Sequence, residues 1–348
     1  MNAPLLSRRT FAKGLGGIVL AFSLDPSELL GQGAPPQLPG SLGSNRLLSA
    51  WLRINPDGTA TVFTGKVELG QGILTSLAQI AADQVGVRPE DITVVSGDTS
   101  TIPLGLGGFA SRQTVTAGNS VHLAARAVRE KAIMAAARLL DVPEESLDIR
   151  DGIVIETGKN LSISLREIAD SLAGAPGYKM PAGMAPGLES AINFETSALT
   201  YGIGAHACEV EVDALTGGVT LLNYVAVNDC GRIINPMIVD GQVHGAVAHG
   251  IGATLYEWMR YDGSGQPQTV TYGDYLLPTS DTVPPLEVEH METPTPLNPL
   301  GVKGAAESGT IAAPAVIASA VEDALRPLGV KVRDLPITPD RLHGLIRA

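Results

Sequence analysis

The 348-residue chain carries only two cysteines, Cys208 and Cys230, which excludes both a disulfide framework and a cysteine-rich metal centre. Aromatic residues are scarce at 4%, so no platform for stacking bases or sugars is expected. Positive charge is in deficit: 24 Lys and Arg against 36 Asp and Glu leave a net charge of −12. The basic stripe that a nucleic-acid binder needs to release counterions is missing. No apolar run reaches the ~18–20 residues needed to cross a bilayer. What is plentiful is small and turn-forming: 40 glycines and 24 prolines in a chain that is 44% hydrophobic and 17% charged. Such a chain can bury a sizeable core, is not wholesale disordered, and should contain many tight turns and backbone-lined sites. Its length predicts about two domains or one large one.

Near the N-terminus, Ser7-Arg8-Arg9-Thr10-Phe11-Ala12-Lys13 is a twin-arginine pattern followed by a short apolar run, Gly14 to Leu24. A charged segment before an apolar run of this length reads as a targeting signal rather than a membrane helix. Residues 31–46 read as a linker rich in Gly, Gln, Pro and Ser. The expected organisation is therefore a signal and linker over 1–46 and a folded domain over 47–348, in two sub-lobes meeting near 173–190. Periplasmic location by twin-arginine export follows as an expectation, with a cytoplasmic location as the alternative.

Along the folded part, Leu48–Asn55 and Thr59–Thr64 form strand-like runs about Pro56-Asp57-Gly58. Ile73–Val85 has a helical face of Leu74, Leu77, Ala78, Ala81 and Val85. A short strand is expected over Ile92–Ser96. A long helix follows, its face marked by Val121, Ala124, Val128, Ala132, Ala135 and Leu139, and Pro143 closes it. Then come a hairpin about Asp151-Gly152, a short helix over Ser164–Leu172, and an antiparallel pair, His206–Asp213 with Gly218–Val227. A helix opens at Asn235-Pro236 and runs towards Met259. Strands near 269–276 and 286–292 precede a last helix from about Ile311 to Leu325. Strands and helices mix without regular βαβ alternation, so the fold class is α+β with mixed sheets and helices.

Four constellations carry chemistry. Glu68-Leu69-Gly70-Gln71-Gly72 stands at a helix mouth, where two glycines let a ligand approach the backbone and free N–H groups attract anions. Gly107-Gly108-Phe109-Ala110-Ser111-Arg112-Gln113-Thr114 combines hydroxyls, an arginine and a glycine-rich backbone, as an anion cradle requires. Asp229-Cys230-Gly231-Arg232-Ile233-Ile234-Asn235-Pro236, continuing to Gln242, brings polar amides to a strand end; Cys230 alone reads as a small buried hydrophobe. His244 and His249 stand five residues apart and do not share a helix face, which argues against zinc. Gly301-Val302-Lys303-Gly304-Ala305-Ala306-Glu307-Ser308-Gly309-Thr310 sets a carboxylate among small residues, where partial desolvation is expected to suit it to work as a general base.

In order and spacing these motifs, above all DCGRIINPMIVDGQVHGAVAHGIGATLYE and NPLGVKGAAESGT, resemble the molybdopterin-binding large subunit of the xanthine dehydrogenase/aldehyde oxidase family. The likeness is to the carbon-monoxide-dehydrogenase-like branch and runs from about Trp51 to Leu345, covering only that subunit's second half. The layout is similar to the split molybdopterin subunit of nicotinate dehydrogenase. The resemblance implies the second molybdenum-cofactor-binding half of a molybdenum hydroxylase large subunit. It further implies that Gly70, Gln71 and Gly72 approach the pterin, and that Ser111, Arg112, Gln113 and Thr114 grip the cofactor's phosphates, in bacteria usually of the cytosine dinucleotide form. Cys230, Gly231, Asn235, Gln242 and Lys303 complete the implied cofactor contacts, and Glu307 matches the catalytic glutamate. The resemblance also implies that the metal is held by the pterin dithiolene and takes no protein ligand. The implied reaction adds water-derived oxygen to an aldehyde or N-heterocycle, with the cofactor carrying the redox step.

The implied partners are a chain with the missing first molybdopterin half-domain, a 2Fe-2S subunit that receives the electrons, and a flavin or cytochrome subunit. A non-catalytic cofactor-binding or structural remnant is the alternative. Joint retention of Gln71, the Ser111–Thr114 run and Glu307 favours the catalytic reading.

Overall fold

The structure, a computed structural model, describes residues 48–102, 105, 107–158, 160–173, 180–196 and 198–348. The expected signal and linker lie outside these residues. Two units emerge. The first holds the described residues up to Phe109, with Gln113–Leu199 and Leu297–Leu300; the second holds Ala110–Arg112, Thr200–Pro296 and Gly301–Ala348.

The first unit is built on a four-stranded sheet ordered β3-β2-β1-β7 from β1 (Leu48–Ile54), β2 (Ala60–Thr64), β3 (Ile92–Val95) and β7 (Glu189–Phe194). Strands β1 and β2 pair antiparallel about Leu52↔Val62, while β2 and β3 run parallel because α1 (Ile73–Val85) connects them. Helix α1 starts and stops on left-handed glycines, Gly72 at φ 73° and Gly86 at φ 81°, the latter returning its N–H to Ala82 O. Its buried face is Ile73, Ser76, Leu77, Ile80, Ala81, Ala82 and Val85; of the expected stripe Leu77, Ala81 and Val85 are buried, while Leu74 and Ala78 are only half-buried.

A π turn, Thr114–Gly118, leads into α2 (Asn119–Leu140), whose buried face is mostly alanine and valine: Val121, Ala124, Ala125, Val128, Ala132, Ala135 and Ala136. Small side chains let α2 lie close on α1 and on the sheet. Leu139 was expected on that face but is 37% exposed, because the helix ends one residue later and Asp141 turns left-handed. A second sheet, β4 (Leu147–Arg150), β5 (Ile153–Glu156) and β6 (Ser162–Ser164), adjoins α3 (Leu165–Ser171). Ser164 and Glu167 close a capping box at the start of α3.

The second unit has a three-stranded sheet ordered β10-β9-β8, with β8 (Ile203–Asp213), β9 (Gly218–Asp229) and β10 (Leu286–Met291). One face presents Tyr224 and Ala226 to α4 (Pro236–Leu255), α5 (Ser308–Ala324) and α6 (Pro339–Arg347). Val247, Ile251, Ile317 and Val321 are fully buried there. Each contributes about 1.5–3 kcal/mol through burial of its side chain. Helices α4 and α5 approach closely because glycine stands at the crossing: a Cβ on Gly250 would lie 2.6 Å from Ala313 Cβ, and one on Gly309 2.9 Å from Ala246 Cβ.

The strand expected near 269–276 is instead a turn. Thr271 O accepts from Asp274 N and Tyr275 N, and Thr271 Oγ1 bonds Asp274, which curls the backbone away from any ladder. Helix α4 likewise stops at Leu255, short of Met259. Strands β6 and β7 and helix α6 were not anticipated. The mixed α+β class is as expected.

Candidate functional site

In the first unit, the turn before α1 is organised by Glu68. Its carboxylate accepts from Gly70 N at 2.9 Å, Gly72 N at 2.8 Å and Leu74 N at 3.2 Å. Burial alone would raise the Glu68 pKa, but the backbone N–H groups of Leu74, Gly72, Gly70 and Leu69 outweigh it and hold it below the usual carboxylate range. The helix mouth expected to attract an external anion is thus filled by the chain's own carboxylate, a correction to the reading of that motif. Gln71 is equally committed: Oε1 accepts from Leu69 N at 2.5 Å, and Nε2 donates to Val67 O at 2.9 Å and to Gln113 Oε1 at 2.6 Å.

Gln71 therefore orients Gln113, whose own Nε2 is shielded from solvent and has no hydrogen-bond partner among the described residues. A Cβ on Gly108 would come within 2.2 Å of that nitrogen, so the glycine is needed for the backbone to pass beside it. Lys66, 1% exposed, donates to Gly107 O at 2.8 Å and so ties down this glycine turn. Thr114 opens the π turn, half-buried.

In the second unit, Ser111 and Glu307 meet although 196 residues separate them. Ser111 Oγ donates to Glu307 Oε2 at 2.6 Å and accepts from Glu307 N at 3.0 Å. Glu307 stands at the N-cap position of α5. It is exposed, contrary to the expected partial desolvation, because Ala305 and Ala306 are too small to cover the carboxylate. Arg112, next to Ser111, is 7% exposed, and burial lowers its hold on the proton.

At the end of β9, Asp229 accepts from Gly231 N at 2.8 Å, Thr293 N at 3.2 Å and Lys303 Nζ at 3.1 Å, and Thr293 Oγ1 also bonds it. Burial would push the Asp229 pKa up, yet these donors bring it down to about 2. Lys303 also bonds Thr293 Oγ1 at 2.8 Å, and the Lys303 and Asp229 side chains are 10% and 9% exposed. Lys303, expected among the cofactor contacts, spends its ammonium on this buried pair. Its backbone N–H donates to Cys230 O at 2.7 Å, and Gly231 bridges Val302, so the 301–304 loop is bound to the Cys230 turn. Burial raises the Cys230 thiol pKa, consistent with a packing role. Asn235 Oδ1 caps α4 by accepting from Ile238 N at 3.1 Å, with Pro236 at the first helical position. Gln242 lies half-buried on α4.

A shallow groove of about 670 Å³ beside α4, lined by His244, Ala248, Pro278, Val283, Pro285 and Leu286 among others, contains none of the expected site residues. Among the described residues no three His, Cys, Asp or Glu side chains gather as a metal site.

A molybdopterin cofactor-binding domain model matches residues 8–284, most of the chain. The chain belongs to that family. It is 40% identical over 295 residues to the nicotine 6-hydroxylase large subunit of Paenarthrobacter nicotinovorans, covering 84% of this chain and 36% of that protein. To the carbon monoxide dehydrogenase large chain of Hydrogenophaga pseudoflava it is 37% identical, covering 91% and 39%. The crystal structure of quinoline 2-oxidoreductase from Pseudomonas putida 86 superposes with a TM-score of 0.78 at 40% identity, covering 87% of this chain and 38% of that one. The chain thus spans well under half the length of these relatives. It is a molybdopterin-binding part of the molybdenum hydroxylase family, with that family's mixed architecture.

A cofactor bearing phosphates and pterin amides fits the donors present. The shielded Gln113 Nε2 has hydrogen-bonding capacity to offer, and a Cβ on Gly70 would meet nothing within 4 Å. The sequence did not single out Lys66, and it gave Glu68 and Asp229 no role of their own within their motifs. Glu68 carried a readable signal, an acid immediately before a glycine turn and a helix. The pairings of Lys66 with Gly107 and of Asp229 with Lys303 join distant segments and left none.

Proposed function

We propose that this chain supplies the second cofactor-binding half and the catalytic base of a heteromeric molybdenum hydroxylase acting on an aldehyde or an N-heterocycle. The observation that carries the reading is an exposed carboxylate, Glu307, whose Oε2 accepts from Ser111 Oγ while its backbone N–H donates to the same hydroxyl oxygen, within a chain of molybdopterin-binding ancestry. Relatives named for nicotine and quinoline support the N-heterocycle class.

Gln113 Nε2 would donate to the cofactor, held in place by Gln71, while the Gly70–Gly72 turn lies alongside it. Arg112 and Thr114 would serve its phosphates, in the cytosine dinucleotide form. Cys230, Gly231 and Gln242 would shape the surrounding turns, with Asn235 and Lys303 acting through the helix cap and the Asp229 pair. When bound, the molybdenum–molybdopterin group supplies the two-electron oxidation. Glu307 takes up the proton released as water-derived oxygen is transferred, and its exposure leaves room for a substrate to approach. The electrons leave through iron–sulfur clusters on a partner. The remaining partners are a chain carrying the first half-domain and a flavin or cytochrome subunit. Export through the twin-arginine route, which carries folded proteins, would deliver the loaded protein to the periplasm.

Glu307→Gln tests the assignment. Molybdenum content should match wild type while turnover falls about 10²–10⁴-fold, the usual worth of a positioned base. Equal turnover in the two proteins would remove Glu307 from the chemistry.

A further inference from the structure

Resting on the reading of Glu307 as base, we propose that Ser111 is its positioning residue and not a phosphate ligand. Ser111 and Glu307 both lie in the second unit. The Ser111 hydroxyl gives its one proton to Oε2 of Glu307 and accepts from the same residue's backbone N–H, at 2.6 and 3.0 Å. A group held at both its main chain and its side chain cannot rotate about χ1 or χ2 without breaking a bond, so the carboxylate is kept in a single rotamer. Oε1 accepts no hydrogen bond among the described residues and is the oxygen left for a proton. With its only donor spent, the serine hydroxyl cannot also donate to a phosphate.

The backbone around Ser111 is arranged for this contact at a cost. Ala110 at φ 55° and Ser111 at φ 49° are successive non-glycine residues in the left-handed region, which side chains disfavour. Such strain persists only where the surroundings over-determine it. Here they do: a Cβ on Gly304 would lie 2.5 Å from Ser111 O and 2.7 Å from Ser111 Cβ, and a Cβ on Gly202 would lie 2.5 Å from Gly304 O. Two bare glycines let three backbone segments stack, and the stack presents the hydroxyl to the start of α5.

The strain provides a way to separate the hydroxyl from the fold. Ser111→Ala removes the hydroxyl and leaves the strained backbone. Ser111→Gly removes it and relieves the strain, so its stability should equal or exceed that of wild type.

The first measurement uses the full chain without cofactor, labelled with carboxyl-¹³C glutamate, the Glu307 resonance being assigned by its loss in Glu307→Gln. In wild type it should stand apart from the solvent-exposed glutamates, and in both Ser111 variants it should merge with them. A wild-type resonance already among the exposed glutamates would overturn the clasp.

The second measurement uses the complete holoenzyme with quinoline as probe. Ser111→Gly should lower kcat roughly 10–100-fold with KM nearly unchanged, since misplacing a catalytic group by about 1 Å costs that much. In a Glu307→Gln background the same substitution should do nothing further. Full kcat in Ser111→Gly, or activity that tracks melting temperature across the two variants, would overturn the positioning role. If the clasp is present but Glu307→Gln retains full activity, it is the base assignment that fails, and the ¹³C result separates the two. Where quinoline is not turned over, the ¹³C comparison alone decides the clasp.

Discussion

Lys303→Met removes the ammonium from a pair whose two side chains are only 10% and 9% exposed, while keeping the aliphatic volume. Breaking a buried pair by deleting one partner leaves an uncompensated charge, at a cost of about 3–5 kcal/mol. Asp229 keeps its bonds from Gly231 N, Thr293 N and Thr293 Oγ1. The loss should therefore fall near the lower end, roughly 3 kcal/mol. At ~2–4 °C per kcal/mol for a unit of this size, the melting temperature should drop roughly 6–12 °C. Circular dichroism melts of the cofactor-free full chain would read this directly, and adding Asp229→Asn should recover part of the loss because no charge is then stranded. An unchanged melt in Lys303→Met, accompanied by lower cofactor content in the assembled enzyme, would refute the structural reading of Lys303 and return it to the cofactor contacts.

Other outcomes follow from the same geometry. The Asp229 carboxyl titrates at about 2 in the fold against 3.8 as its ordinary value, so its stabilisation is complete above pH ~4 and is lost as pH falls towards 2. The lost amount is about 2 kcal/mol, and urea midpoints at stepped pH should show that Asp229→Asn flattens this loss. Glu68→Gln should cost about 0.5–2 kcal/mol, because the cap on α1 loses charge-assisted acceptance, and the effect should vanish in acid where Glu68 is protonated in any case. Gly231→Ala should abolish soluble expression, since a Cβ there would sit 2.2 Å from Gly301 O at φ 69°, whereas Gly245→Ala, with open space around it on α4, should be neutral or stabilising. Lysine at positions 8 and 9 should hold the protein in the cytoplasm, and unchanged periplasmic recovery would rule out the twin-arginine route.

The elements that were legible in the sequence are those with strong local signals. Helix α1 coincides with its predicted span because glycine brackets an unbroken apolar period, and the β8–β9 pair is marked by alternation about a Gly217 turn at φ 76°. The 269–276 segment misled because Val270 and Tyr272 favour a strand on propensity, while Thr271 bonds Asp274 and Tyr275 and closes a turn instead. Strand β7 was hidden for the converse reason: its ladder with β1 joins distant segments, and Glu189 and Ser190 interrupt the apolar pattern.

At the candidate site, the motifs did not reveal the bonds that the structure makes within their turns. Ser111 stood in a run that reads as a phosphate cradle, and only folding brings Glu307 to its hydroxyl. Glu307 reads as desolvated among alanines, yet alanine is too short to bury a carboxylate. Lys303 looked available four residues before Glu307, and Asp229 takes it from the far end of β9.

The most direct test of the central claim is to isolate the chain from its native cell with whatever is bound and to measure molybdenum and pterin nucleotide in the same sample. Stoichiometric molybdenum with cytosine-nucleotide pterin, alongside a larger chain carrying the first half-domain, is the predicted result. A lone chain free of metal and pterin would contradict it, and Glu307 would then be an ordinary carboxylate at the start of a helix.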